Sequence, residues 1–287
     1  MSAGRGRHHS RLRRIALTIL DAALLNGVVA RWSYACGLHG KLDITEHEVQ
    51  LAAGKRLPRS LLLAFASDFH AGPATHPQMF ASLIEAVTQR SPDLVLLGGD
   101  YVSCNADQVD VLADTLARCS PPFGKYAVLG NHDLLTDDER IVRQLTGAGV
   151  QVLVNRNCTL PAPFDAVSIC GIDDPWTGSA DVEQAFHGAT SVRIFLTHSP
   201  DGLLLLSGQK FDLGFAGHTH GGQVALRDGT AILDAGGPLA RVYARGRFEI
   251  VDNGPLIVSR GLGCSNLPIR INSDPEVIFC RVVGAAS

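Results

Sequence analysis

The sequence predicts an α/β fold in which two mixed β-sheets stack on one another with helices outside. Three observations carry this expectation. From Leu61 onward, short apolar runs alternate with segments of helical period. Beyond Gly222 the pattern turns mostly to strand. Polar clusters of Asp, His and Asn follow directly on five of the apolar runs, where an α/β sheet gathers ligands at the carboxyl ends of its strands.

The elements follow in order. Residues 61–67 (LLLAFAS) read as a buried strand, and a helix over 77–90 puts Met79, Phe80, Leu83, Ile84 and Val87 on one face. Residues 93–99 (DLVLLGG) form the next strand. Asn105 caps a helix that buries Val109, Leu112 and Leu116. Residues 125–130 (KYAVLG) are a third strand and 137–146 a third helix. Further strands are expected at 150–154, 166–172, 192–197 and 212–216, then at 223–226, 247–251, 255–259 and 276–282. The main domain therefore spans 61–287, after a terminal segment (1–30) and a connecting stretch (31–60).

Composition fits a compact enzyme: 46% hydrophobic, 18% charged, with 30 Gly and 14 Pro. The net charge of −3 divides unevenly, since Arg5, Arg7, Arg11, Arg13 and Arg14 sit at the amino terminus with no acid among them. A basic tip on an acidic body argues against nucleic acid as partner, because tracking phosphates needs a basic face on the folded domain. It fits a segment drawn to an anionic membrane surface. The seven cysteines are scattered without a CxxC pair, so neither a zinc ribbon nor a thioredoxin-type site is indicated, and the pattern fits reduced thiols in a cytosolic setting.

Residues 15–30 are apolar but interrupted by Asp21 and Asn26, short of the roughly 18 uninterrupted apolar residues of a spanning helix. On a helix, Arg11, Arg14, Thr18 and Asp21 share one stripe, so residues 11–30 read as a cationic amphipathic helix lying in the headgroup region. The expected location is peripheral, at the cytoplasmic face of the membrane. The alternatives are an uncleaved span, an export signal using Arg13–Arg14, or a helix packed on the domain.

The clusters are Asp68 with His70, Asp100, Asn131 with His132, His198, and His218 with His220. Each alone is an ordinary loop or cap. Together, at successive strand ends, they supply what a pair of divalent cations about 3.5–4 Å apart requires: a bridging carboxylate with a mixture of imidazole and oxygen donors. Asp68 and His70, like His218 and His220, are two apart, which in extended backbone puts both side chains on one side.

These residues also resemble a known family. Asp68-Phe69-His70, Gly99-Asp100, Gly130-Asn131-His132-Asp133, His198 and Gly217-His218-Thr219-His220 are similar to the five motifs of the calcineurin-like metallophosphoesterases. The resemblance covers about residues 60–282 and implies that family's four-layer αββα sandwich. It implies Asp68, His70 and His220 on one metal, Asn131, His198 and His218 on the other, and Asp100 bridging both. It places His132 beside the phosphate as leaving-group acid or charge stabiliser, with Asp133 orienting it. The ions implied are two divalent cations among Mn, Fe and Zn.

Residues 171–178 (GIDDPWTG), 196–202 (LTHSPDG), 217–223 (GHTHGGQ) and 259–276 resemble a membrane-associated bacterial phosphodiesterase branch that includes UDP-2,3-diacylglucosamine hydrolases of lipid A synthesis. Phe69 replaces the leucine common between the first two ligands. Ser103 stands where purple acid phosphatases carry a metal-binding tyrosine, so an iron–tyrosinate centre is not expected. Arg260 and Arg270 are candidates to meet the substrate phosphate. Trp176 is read as core, with an apolar rim for a lipid chain as the alternative; His76 and His187 receive no role. The expected activity is metal-dependent hydrolysis of a phosphodiester or pyrophosphate bond in an amphiphilic or nucleotide-linked substrate. The alternatives are a soluble protein or nucleotide phosphomonoesterase and a metal-stabilised binding module without turnover.

Overall fold

The structure is a computed structural model that describes residue 19 and residues 23–232 and 235–285. The chain forms α1 (Val28–Ala35), β1 (Asp43–Gln50), β2 (Leu61–Ala66), α2 (Gln78–Arg90), β3 (Leu94–Leu97), α3 (Val109–Leu116) and β4 (Lys125–Ala127). There follow α4 (Asn131–Leu134), α5 (Asp138–Gly147), β5 (Val150–Val152), β6 (Arg156–Thr159), β7 (Val167–Gly171) and α6 (Val182–Phe186). The chain closes with β8 (Val192–Leu196), β9 (Leu213–Ala216), β10 (Gly246–Phe248), β11 (Leu256–Val258) and β12 (Glu276–Val283).

Two six-stranded mixed sheets result, in the orders β1-β12-β2-β3-β4-β5 and β10-β11-β9-β8-β7-β6. In the first, β2 to β5 run parallel and β12 is antiparallel to β2. In the second, β7, β8, β9 and β11 run parallel, with β6 and β10 antiparallel at the edges. The alternation of strand side chains sorts the core into layers. Leu61, Leu63 and Phe65 point between the sheets to meet Ile194, Leu196, Leu213 and Phe215, and the Phe65 and Phe215 rings lie 5.0 Å apart. Their neighbours Ala64 and Ala66 face the other way, under Met79, Leu83, Val109, Leu112 and Leu145 of the outer helices. Phe195 and Cys170 face outward on the second sheet, beneath Val182, Ala185 and Phe186 of α6. Burial of each such Leu or Phe contributes about 2 kcal/mol, and it fixes the register that aims the strand ends.

The predicted cap is present, Asn105 accepting from the Asp107 N–H, and Asp137 caps α5 by accepting from the Arg140 N–H. Two expectations are corrected. Residues 31–60, read as a connector, contain most of α1 and all of β1, which pairs in parallel with β12 from Asp43↔Glu276 to Gln50↔Val283. The sequence of β1, DITEHEVQ, is that of a charged edge strand with one fully buried residue, Val49. The strand expected over 223–226 exists only as isolated bridges, Val224↔Ile271 and Ala225↔Ala231. The amphipathic helix expected over 11–30 lies mostly outside the described residues. Its described end is broken by left-handed backbone at Asn26 (φ 50) and Gly27 (φ 89). Among the described residues no helix is long and apolar enough to cross a membrane.

Candidate metal centre and active site

The loops that leave β2, β3, β4, β8 and β9 converge on one point, and they do so through strained backbone. Asp68 (φ 53), His70 (φ 42), Asp100 (φ 54), His218 (φ 71) and His220 (φ 52) all occupy the left-handed region. Extended pairs on one side, as the two-residue spacing implied, are therefore not what forms. Such backbone costs about 1 kcal/mol or more per residue and persists only where the surroundings hold it. Here they do: Asp68 N–H donates to the Gly99 carbonyl (2.9 Å), His70 N–H to the Asp100 carbonyl (2.9 Å) and Gly263 N–H to the Asp68 carbonyl (2.7 Å). Glycine is required where loops touch: a Cβ at Gly130 would strike the Asp100 carboxylate, and one at Gly217 the Asp68 carboxylate.

The side chains form two groups that share one atom. Asp68 Oδ1 lies 3.5 Å from His220 Nε2, which lies 3.0 Å from His70 Nε2. Asn131 Oδ1 lies 3.1 Å from both His198 Nε2 and His218 Nδ1. Asp100 Oδ2 lies between the groups, 3.5 Å from His70 Nε2 and 3.4 Å from His198 Nε2. Its other oxygen, Oδ1, is held by the His132 N–H at 2.8 Å, which leaves Oδ2 turned inward.

This donor set fits divalent cations. His198 Nδ1 faces the Gly98 carbonyl at 2.7 Å and must donate to it, so Nε2 of the neutral ring presents a lone pair toward the Asn131 and Asp100 oxygens. Lone pairs facing lone pairs repel unless positive charge lies among them. The protein's own titration answers that demand with a proton: burial opposes charge on His198, yet Asp100, Asp68 and Asp174 raise its pKa well above the usual imidazole range. Burial favours the neutral form of His70, His218 and His220, as metal ligation requires. Burial, then neighbouring charges, lowers His70 to about 3 and His218 to about 4. Burial pushes Asp68 up to about 6. Asp68-His70-His220 and Asp100-His198-His218 each bring their ligand atoms within 4.8 Å of one another.

The family assignment rests on more than geometry: the calcineurin-like phosphoesterase profile matches residues 61–222. The chain belongs to this family. The Escherichia coli (strain K12) protein "Phosphodiesterase YaeI" is 29% identical over 255 residues, covering 85% of this chain and 89% of its own. An uncharacterized metallophosphoesterase of Aquifex aeolicus (strain VF5) is 30% identical over 242 residues, 80% of this chain and 88% of that one. Among solved structures, a 5′-nucleotidase precursor from Thermus thermophilus aligns with a TM-score of 0.46 at 16% identity, over 71% of this chain and 49% of that chain. The chain is thus a metallophosphoesterase, of a family that hydrolyses phosphoesters with divalent metal ions, and its two six-stranded sheets are the family's fold.

Within this metallophosphoesterase, seven of the expected residues (Asp68, His70, Asp100, Asn131, His198, His218 and His220) surround one centre. Asp100, Asn131, His132, His218 and His220 line a cavity of about 390 Å³ above it. The His132 ring stands edge-on to His70 at 4.7 Å, and its Nδ1 donates to the Ser103 carbonyl (2.6 Å). Orientation of His132 therefore comes from Ser103. Asp133 is placed elsewhere: its carboxylate is fully buried and accepts the N–H groups of Asp100 (2.9 Å), Tyr101 (2.8 Å) and Gly130 (2.9 Å). It binds the loop after β3 to the loop after β4.

The two arginines are not brought to the cavity. Arg260 pairs with Glu276 (3.0 Å) and Asp43 (2.7 Å). Arg270 is buried and donates to the carbonyls of Gly263, Arg260 and Ser273, with one amino group 3.4 Å behind His220 Nδ1. Both hold the 260–273 loop in place. Trp176, read as core, is instead 45% exposed on the cavity wall, its ring 5.3 Å from that of His218. Gln223 is a further residue not singled out from sequence. Its amide donates to the carbonyls of Ser265, Leu267 and Ile269 and pins that wall. The only sequence signal for it was its place directly after GHTHGG.

Proposed function

We propose that the protein hydrolyses a phosphodiester or pyrophosphate bond with two divalent ions bound side by side. Asp68, His70 and His220 would hold one ion, Asn131, His198 and His218 the other, with Asp100 common to both sets. The observation that carries this reading is the single oxygen, Asp100 Oδ2, set 3.5 and 3.4 Å from one imidazole of each group. When bound, the ions supply a polarised phosphoryl group and a water acidified enough to attack near neutral pH.

The chain's own residues do the rest. Asp100 is kept ionised: burial opposes this, but His198, His132 and His70 lower its pKa well below the carboxylate range. Because His132 spends Nδ1 on Ser103, its Nε2 is the atom left to donate to a phosphoryl oxygen or to the leaving group. The buried floor excludes bulk water from the reacting centre and strengthens each of these interactions.

Support for a diester comes from the relative named as a phosphodiesterase. The sequence resemblance extends the proposal to an amphiphilic substrate at the membrane, with UDP-2,3-diacylglucosamine as a specific candidate. A relative in Danio rerio, 28% identical over 78% of this chain, is named a transmembrane protein with a metallophosphoesterase domain.

The test is turnover of bis(p-nitrophenyl) phosphate against p-nitrophenyl phosphate, after chelation and re-addition of Mn²⁺. Diester turnover that disappears with chelation and returns with metal is the expected result. Preference for the monoester, or turnover unaffected by chelation, would overturn the proposal.

A further inference from the structure

The cavity wall carries information that the metal ligands do not. Its floor is polar, yet none of the described residues lining it is Lys or Arg. Two large apolar side chains stand on that wall, Trp176 (45% exposed) and Leu267 (44% exposed). A single exposed tryptophan is ordinary on a protein surface. This one is fixed from several sides.

Asp174 Oδ2 accepts the N–H groups of Trp176 (3.1 Å) and Thr177 (2.7 Å) and the Thr177 hydroxyl (2.8 Å), which locks the turn carrying the indole. The ring leans on His218 at 60°. Its far edge meets the backbone of Gly236, where a Cβ would lie 2.5 Å from the ring and φ is +89°. An aromatic held this firmly, nearly half exposed and lining the cavity, is a preorganised surface: a ligand packing on it loses little ordering entropy to the protein.

We propose that Trp176 determines specificity, packing with Leu267 against an apolar ester group of the substrate while the phosphoryl group lies over Asp100 and His132. This rests on the phosphoesterase reading above and narrows it. No cation stands among the described lining residues to meet a second phosphate, so of the two bond types proposed above the wall favours a phosphodiester with an apolar ester group over a pyrophosphate such as that of UDP-2,3-diacylglucosamine. The Asp174 carboxylate acts on specificity through Trp176, whose turn it holds.

The test has two arms, both on the full chain reloaded with Mn²⁺. The first compares p-nitrophenyl phenyl phosphate with p-nitrophenyl methyl phosphate. The wild type favours the phenyl ester. Trp176→Ala raises KM for that ester about tenfold, with kcat and the methyl ester little changed, while Trp176→Phe retains the preference. Inorganic pyrophosphate is a poor substrate throughout. Trp176→Ala with an unchanged phenyl-to-methyl ratio overturns the proposal, as does efficient pyrophosphate cleavage.

The second arm needs no turnover. The chain has two tryptophans, so Trp32→Phe leaves Trp176 as the sole indole reporter. Phenylphosphonate then shifts its emission at concentrations where methylphosphonate does not; equal or absent responses count against the wall. An enzyme inactive on every ester but responsive to phenylphosphonate would refute the hydrolytic reading while sustaining this one.

Discussion

At the floor of the cavity the seven ligand-type side chains are buried, His132 is partly buried, and five of the seven sit on left-handed backbone. At the rim, Trp176 and Leu267 are nearly half exposed and meet the cavity through apolar surface. The floor needs angles and distances fixed to a fraction of an ångström, so it draws on strands, on glycines without Cβ and on a buried carboxylate that joins two loops. The rim needs only shape and hydrophobicity. Substitutions at the floor should therefore act on kcat, and those at the rim on KM.

The largest effect is expected at Asp100. Asp100→Asn keeps the shape but removes the shared negative charge, and turnover should fall by about a thousandfold while the fold survives. Turnover and bound metal, measured together, check this. Wild-type kcat in the variant would break the distinction between floor and rim.

Asp133 comes next. Asp133→Ala leaves the N–H groups of Asp100, Tyr101 and Gly130 unpaired in a buried space, at about 1–3 kcal/mol each before water or relaxation compensates. A stability loss of about 3–5 kcal/mol in urea melts is expected, accompanied by lost activity. Undiminished stability with an altered pH–rate profile would instead restore the role of orienting His132.

How much of this was legible beforehand divides along the same line. The floor could be read because Asp, His and Asn directly after apolar runs are both strand-end signals and ligand types; Asp68, Asp100 and His218 announced themselves by position. The strands were legible wherever a buried strand reads as an apolar run, as in Leu61–Ala66 and Leu94–Leu97. The edge strand β1 was hidden because charges alternate on its exposed faces. The left-handed turns at Asp68 and His70 were hidden because tertiary hydrogen bonds impose them on residues that do not choose them locally. Arg260, Arg270, Asp133 and Trp176 were misplaced for one reason. Residue type reveals that a guanidinium, a carboxylate or an indole needs a partner, but only the folded loops decide which one.

Arg270 sharpens the contrast further. Its guanidinium is buried and its donors go to main-chain carbonyls. Arg270→Met should cost about 3 kcal/mol by leaving those carbonyls unpaired behind His220. Arg260→Ala removes an exposed pair with Asp43 and a mostly buried one with Glu276, and should cost about 1–3 kcal/mol. Thermal melts of the two variants decide between a structural role and phosphate binding. Equal stability with a KM raised in both would return the pair to the substrate.

The last expected effect lies outside the cavity, at His39, and shows only as the pH falls. Burial, against the Pro268 carbonyl and with Arg270 and His76 nearby, lowers its pKa from 6.5 to about 4. Between those values the unfolded chain binds a proton that the folded chain refuses, so this contribution to stability is intact above pH 6.5 and is lost as pH falls toward 4. At pH 5 the loss amounts to about 2 kcal/mol. His39→Gln can still accept the His76 N–H that His39 Nε2 takes at 3.3 Å, but it cannot titrate. Melting temperatures between pH 7 and 5 should therefore fall less steeply in the variant than in the wild type. His70 and His218 are lowered in the same direction, so a slope remains after His39 is replaced. An unchanged slope would mean that acid sensitivity resides wholly in the floor. A flattened one would show that the wall behind it, through the His39 and Pro268 contact, carries part of the cost of burying imidazoles.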